Sequence, residues 1–357
     1  MADQTLFSRL TKKVEKLVKS VRLKASIKQI HGPQQFDLAP DDVVVVVMVK
    51  NGAFYLDAFF ENYRTLGAKH FVFIDNGSSD GTDAQIKAQD GTVILRSTLP
   101  MKTYENEFRR HGAQSFAHNH WVLYADVDEL FDFEGSEALG LRGLVRYLTG
   151  QGYTALMAQM LDVFPVASIQ SYAQATFEQA IADYQYYDLS QIVRYDYTDD
   201  AIEFSYFMGT NTTSNNDLKF MFGGVRKKIF DEMCCLTKHP LVFVDDMTWP
   251  NPHPHVAAHV RVADFSAVIK HYKFTDDPFA RDLQTLRDGT LTHGENKLRL
   301  DVIANTPDIS FYSEDALQWG GVEALYPQKF LVQSPVFTEF VRQERARLVA
   351  TMGGTGG

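Results

Sequence analysis

The chain has 357 residues, 45% of them hydrophobic and 22% charged, enough for one large α/β domain with elaborations or for two modest domains. Its formal net charge of −10 excludes a general nucleic-acid binder, which needs basic surface to displace the counterions of a phosphate backbone. Aromatic residues reach 13%, with 26 Phe and 16 Tyr, most of them expected in the core and a few available to stack on ring-shaped ligands.

Residues 6–30 place Leu6, Leu10, Val14, Leu17, Val18 and Val21 at helical spacing. Arg9, Lys12, Lys13, Lys16, Lys19, Arg22, Lys24 and Lys28 stand between them, against only Asp3 and Glu15. This basic amphipathic helix, taken as an N-terminal unit over 1–40, has three readings: peripheral contact with an anionic membrane, docking on a partner, or plain packing on the domain. After Gly32-Pro33, the β-branched run 43–49 predicts a strand buried on both faces of a parallel sheet. Leu56, Phe59, Phe60, Tyr63 and Leu66 then share one helical face, which Gly67 ends. A strand over 70–74 closes on the polar loop Asp75-Asn76-Gly77-Ser78-Ser79-Asp80-Gly81-Thr82, which opens a helix over 84–88. Strand 93–95, helix 105–118 and strand 121–125 follow.

Strand and helix therefore alternate over 43–164, the pattern of an α/β, Rossmann-like fold with a mixed, mostly parallel sheet flanked by helices. The chain divides into a nucleotide-binding half over 41–165, an irregular α+β half over 166–345 and a disordered tail over 346–357. Residues 168–200 show no clean period, 220–228 and 267–274 have strand character, and the closing Gly353-Gly354-Thr355-Gly356-Gly357 is too poor in apolar surface to order itself. Cys234 and Cys235 are neighbours that fit neither a disulfide framework nor a metal spacing, which suits a reducing compartment. With no run of eighteen apolar residues and no secretory signal, a cytoplasmic location is expected, with the inner face of the membrane as the alternative the basic helix leaves open.

In such sheets ligands bind beyond the carboxyl ends of the strands. Lys50-Asn51, Asp75-Asn76 and Asp126-Val127-Asp128 all lie at those ends, so they are expected to converge. Asp126, Asp128 and Glu129 follow a buried strand closely enough to repel one another unless a cation lies between them. Mg²⁺ or Mn²⁺ answers that need and bridges substrate phosphates; the competing reading is a solvated acidic turn.

Val49-Lys50-Asn51, Ile74-Asp75-Asn76-Gly77-Ser78-Ser79-Asp80-Gly81-Thr82 and Trp121-Val122-Leu123-Tyr124-Ala125-Asp126-Val127-Asp128-Glu129 together resemble the successive motifs of GT-A glycosyltransferases, family 2-like and related to the family 92 type. The resemblance covers 43–164 and implies a GT-A fold with a nucleoside-diphosphate sugar donor, foremost a UDP-sugar, and a carbohydrate or glycolipid acceptor. It places Lys50, Asn51, Asp75 and Asn76 on the nucleotide, Asp126 near ribose and metal, and Asp128 on the metal. Gly52 stands where the related pattern often has Glu, and Ser79 and Asp80 either touch the donor or brace the loop. Arg109, Arg110, Gln114 and His118 lie on a helix near this edge, and Arg109 is the choice for the diphosphate. Downstream, His271 completes the metal shell by resemblance and Gly223-Gly224 lines the acceptor side, while His253, His255 and His259 match no zinc pattern.

The resulting expectation is an inverting, metal-dependent transfer of a sugar to an acceptor hydroxyl whose proton goes to a carboxylate. Asp245 and Asp246 are the first choices for that base, with Glu232 and Glu295 behind them. Two other classes compete: a metal-dependent nucleotidyltransferase and a carbohydrate-binding module without turnover.

Overall fold

The structure is a computed structural model describing residues 18–287 and 295–353. Its first half contains β1 (Lys28–His31), β2 (Val43–Val49), α1 (Leu56–Thr65), β3 (His70–Asp75), α2 (Thr82–Lys87), β4 (Thr92–Arg96), α3 (Met101–Phe116), β5 (His120–Asp126), β6 (Glu129–Asp132), α4 (Ser136–Gly150) and β7 (Ala155–Asp162). The second half adds α5 (Phe177–Asp183), β8 (Tyr186–Tyr187), β9 (Ile192–Asp196), β10 (Thr212–Thr213), β11 (Lys219–Gly223), α6 (Val225–Phe230), β12 (Thr237–Val244), β13 (Trp249–His253), β14 (Val256–Ala258), β15 (Arg261–His271), α7 (Pro278–Arg287), α8 (Glu295–Asn305) and α9 (Pro335–Gly353). A ten-stranded sheet in the order β1-β4-β3-β2-β5-β12-β7-β15-β10, with β6 added on β15, forms the centre. It is mostly parallel and flanked by helices, a Rossmann-like α/β arrangement.

The valine run of β2 shows why this sheet is buried on both sides. Val43, Val45, Val47 and Val49 pack with Phe59, Phe60 and Tyr63 of α1 and Leu144 of α4. Val44, Val46 and Met48 pack on the other face with Tyr104 and Phe108 of α3. The period of two in a strand sends alternate side chains to opposite faces, so an unbroken apolar run is the pattern that two helical layers demand. Each such side chain removed from water contributes about 1.5–3 kcal/mol.

Strands β2, β3 and β4 step outward in one direction, whereas β5 pairs with the other side of β2. Strand order reverses there, and in such sheets the carboxyl ends of the strands at the reversal are where ligands bind. Strand β12 then enters antiparallel between β5 and β7, with Leu241 opposite Leu123 and Val244 opposite His120.

Several expectations are corrected. Residues 28–31 form an antiparallel edge strand on β4 rather than the end of a helix. The described part of the N-terminal helix, 18–26, buries Leu23, pairs Lys19 with Glu107 at 2.7 Å and leaves Val18 and Val21 exposed. Leu6, Leu10, Val14 and Leu17 lie outside the described residues. Residues 226–228, read as strand, belong to α6 because the left-handed Gly223 and Gly224 turn the chain after β11. Within 168–200, Thr176 and Gln179 form a capping box that starts α5, and β9 pairs with β11. The C-terminal helix continues to Gly353 where a tail was expected, and residues 354–357 lie outside the described ones.

The second half also carries a buried polar contact with a pH signature. His239 of β12 accepts the Ala257 N–H at Nδ1 (3.2 Å) and meets the Tyr197 hydroxyl at Nε2 (3.1 Å), so its ring is neutral. Burial lowers its pKa to about 4. The unfolded chain binds this proton near pH 6.5 and the folded chain near pH 4, so stability is lost as pH falls through that window, on the order of 3 kcal/mol at its end. Urea unfolding between pH 6.5 and 4.5 is expected to show a shallower fall of stability with acid in His239→Gln than in the wild type; parallel curves would remove His239 as the source.

Candidate functional site

Two loops at the carboxyl ends of β2 and β3 are laced together. Asn51 stands in the left-handed region (φ 56), donates its N–H to Ser78 Oγ at 2.9 Å and accepts the Ser79 N–H at Oδ1 at 2.9 Å. Gly52 N–H donates to Thr82 Oγ1 at 2.8 Å, and Ala53 N–H to Asp80 Oδ2 at 3.0 Å. Asp80 also accepts from Thr82, so of its two readings the brace is the one observed. Asp75 is fully buried, and its oxygens accept from Ser78 N (2.9 Å), Ser78 Oγ (2.5 Å), Gly77 N (3.3 Å) and Arg96 Nε (2.7 Å). Asn76 donates to the Ser97 and Leu99 carbonyls at 2.8 and 2.9 Å. Asp75 and Asn76 therefore shape the loop, and Lys50 is exposed beside it, as are Asn51, Ser79 and Asp80.

The acidic turn after β5 lies beside this pair of loops, because Met48 of β2 is in register with Asp126. Its charges are compensated from within the protein. Asp126 is bound by Arg109 Nη2 at 2.6 Å and by Lys238 Nζ at 3.2 Å. Lys238, the second residue of β12, also contacts Glu129. Burial pushes the Asp126 carboxyl up, but Arg109 and Lys238 outweigh it and hold it well below the usual carboxylate range. Burial raises the Glu129 carboxyl in spite of Lys238, and Oε2 of Glu129 has no hydrogen-bond partner among the described residues. The cation that sequence reasoning sought in a divalent ion is thus supplied first by side chains distant in sequence.

Asp128 differs. Its side chain is 17% exposed and faces the imidazole of His271 across 3.6 Å at Nε2. The other ring nitrogen, Nδ1, is 2.7 Å from Asp162 Oδ1, and Asp162 Oδ2 accepts from Arg226 Nε at 2.8 Å. Register explains the meeting: His271 ends β15 opposite Glu129 of β6 on one side and Asp162, the end of β7, on the other. Burial acts upward on Asp128 and is outweighed by His271, with Lys273 and Arg281 behind it, so the carboxyl stays well below its ordinary range. Arg281 of α7 is positioned by the Tyr55 hydroxyl at 2.6 Å and the Lys273 carbonyl at 3.0 Å.

Among the described residues, no group of three or more His, Cys, Asp and Glu side chains is arranged to hold a metal ion. Asp128 and His271 Nε2 are a pair of donors facing one another, with the far ring nitrogen fixed by a carboxylate as in histidine ligands of metals. In kind this fits Mg²⁺ or Mn²⁺, which take one or two protein ligands and fill the remaining positions with phosphate oxygens and water. Asp126, the third expected ligand, is engaged with Arg109 and Lys238 instead.

Asp245 and Asp246 do not belong to this rim. They follow Val244, which pairs with His120 at the start of β5, whereas Asp126 ends that strand some 20 Å away at about 3.3 Å per residue. Asp245 accepts the N–H groups of Met247 and Thr248 in a turn, and Asp246 is 94% exposed beside His118. His118 and Gln114 are exposed near that same far edge, and Arg110 binds the Pro250 and Asn251 carbonyls. Arg109 is buried on Asp126, so the cations near Asp128 are Lys273 and Arg281. Glu232 is buried against Arg299, and the side chain of Glu295 lies outside the described residues. His253 stacks on Phe204 at 4.1 Å, His255 contacts the Thr237 carbonyl and His259 is exposed in a turn.

Sequence reasoning missed Asp162, Arg226, Lys238, Lys273 and Arg281. Arg226 and Lys273 lie in the elements around Gly223-Gly224 and His271 without a role assigned to them, and Asp162 closes a largely apolar strand as Asp126 does.

No protein-family model matches the chain, and no curated protein does. Solved structures to which it is similar include a UDP-glucose pyrophosphorylase complexed with UDP-glucose, at 6% identity and a TM-score of 0.20 over 43% of this chain and 67% of that one. Another is a UTP-bound UGPase from Acinetobacter baumannii, at 10% identity and a TM-score of 0.22 over 81% and 92%. Scores this low leave the activity to be read from the site itself.

Removal of Lys238 is expected to strand the carboxylates that depend on it. Lys238→Met should lose about 3 kcal/mol in urea unfolding at pH 7, and adding Glu129→Gln should recover most of it. A loss below about 1 kcal/mol would show that Lys238 is not what neutralises this turn.

Proposed function

We propose that this chain is a metal-dependent glycosyltransferase of the GT-A type, moving a sugar from a nucleoside-diphosphate donor, foremost a UDP-sugar, to a carbohydrate or glycolipid hydroxyl. The observation that carries the reading is the meeting of Asp128 and His271 Nε2 at 3.6 Å on the rim where β2 and β5 reverse strand order. Asp128 and His271 would hold Mn²⁺ or Mg²⁺, and the bound ion supplies charge stabilisation to the departing diphosphate. Lys273 and Arg281 take the diphosphate role expected of Arg109, because their charges act on Asp128 while Arg109 is consumed by Asp126. Asp126, 31% exposed and held by two cations, presents a fixed edge to the ribose. The loop built on Asp75, Asn76 and Asn51 gives the nucleotide a rigid floor, and Lys50 stands exposed beside it.

Among the described residues no helix is long and apolar enough to cross a membrane.

The test is a panel of nucleotide sugars screened for Mn²⁺-dependent thermal stabilisation, followed by assay of sugar transfer and donor hydrolysis with the best ligand. Asp128→Ala is expected to lower kcat/KM about 100-fold or more, while Asp245→Asn and Asp246→Asn stay within twofold of wild type. Release of pyrophosphate from a nucleoside triphosphate and a sugar phosphate would replace the reading with nucleotidyl transfer. Sugar binding indifferent to both Mn²⁺ and Asp128→Ala would replace it with a binding module.

A further inference from the structure

We infer that Asp162 and Arg226 are positioning residues for His271, and that the Gly223-Gly224 turn exists to bring Arg226 to them. This rests on the reading of Asp128 and His271 as metal ligands. The contacts form one chain: Arg226 Nε to Asp162 Oδ2 at 2.8 Å, Asp162 Oδ1 to His271 Nδ1 at 2.7 Å, and His271 Nε2 to Asp128 at 3.6 Å. Arg226, Asp162 and His271 are 6%, 6% and 4% exposed, so solvent does not compete for these bonds. An imidazole ring turns about its side-chain bonds, and a carboxylate on one nitrogen fixes both the ring plane and which nitrogen faces the ligand site. Asp162 has that place, and Arg226 keeps it ionised against burial, which acts upward on it.

The backbone ahead of Arg226 is built for this delivery. Gly223 and Gly224 have φ of 90° and 66°, and a Cβ on Gly223 would stand 2.7 Å from the Gln191 carbonyl oxygen. A side chain at position 223 would push β11 from the strand it follows, so only glycine lets the chain reverse from β11 into α6 with Arg226 pointing inward. The double glycine thus makes the turn that brings Arg226 inward.

The experiment is Mn²⁺ binding in the presence of UDP, read by the electron paramagnetic resonance of free Mn²⁺ and, for nitrogen ligation, by electron spin-echo modulation. Removing Asp162 alone would leave a buried guanidinium unpaired, so the variant is Asp162→Asn with Arg226→Met, checked for a native circular dichroism spectrum and cooperative melting. Its Kd for Mn²⁺ is expected to rise 10–100-fold with weakened nitrogen modulation, while Arg226→Lys stays within about threefold of wild type. If His271→Ala weakens binding and the folded double variant binds as tightly as wild type, the positioning role is overturned and the metal reading stands. If the wild type itself takes up no Mn²⁺ with UDP, the metal reading fails and this role fails with it.

Discussion

Lys238 reaches from β12 into the rim between β5 and β6, and both Asp126 and Glu129 depend on it. A carboxylate buried without a counter-charge costs several kcal/mol, so an acidic turn is stable beside a dry core only where the fold carries a cation to it. The antiparallel entry of β12 does this. Its first residues lie at the rim, and its last, Val244, lies at the opposite edge beside His120. The same direction of travel that brings Lys238 to Asp126 carries Asp245 and Asp246 away from it.

The rim is thereby divided. Asp126 and Glu129 are neutralised by Arg109 and Lys238, whereas Asp128 is compensated by His271, with Lys273 and Arg281 behind it. Charges that are already paired cost a ligand little to approach, and cations beyond those a carboxylate needs raise the local concentration of anionic groups. Division of labour among neighbouring carboxylates follows from which partner the surrounding strands supply rather than from the carboxylates themselves.

Rigidity is the second property of this edge. The β2 and β3 loops share Ser78, Asp80, Thr82 and Asn51 as mutual donors and acceptors, and Asp75 accepts four hydrogen bonds, two from Ser78 and one each from Gly77 and Arg96. Side chains whose bonds are all satisfied locally hold their positions before any ligand arrives, which reduces the ordering cost of binding. The polar motif at the end of β3 is therefore largely a structural device that holds the two loops together.

From the amino-acid sequence alone came the α/β class, the order of strands and helices from Val43 to Asp126, and the placement of Lys50, Asp75 and Asp126 at strand ends, because burial on two faces forces an unbroken apolar run and helices force a period of 3.6. These signals are local, readable within one element. What the tertiary structure alone decided was who meets whom. Asp128 faces His271, His271 is held by Asp162, and Lys238 satisfies Asp126, through pairs separated by more than a hundred residues and fixed by strand register. Strand direction and register are cooperative properties of the whole sheet, and no spacing along the chain records them.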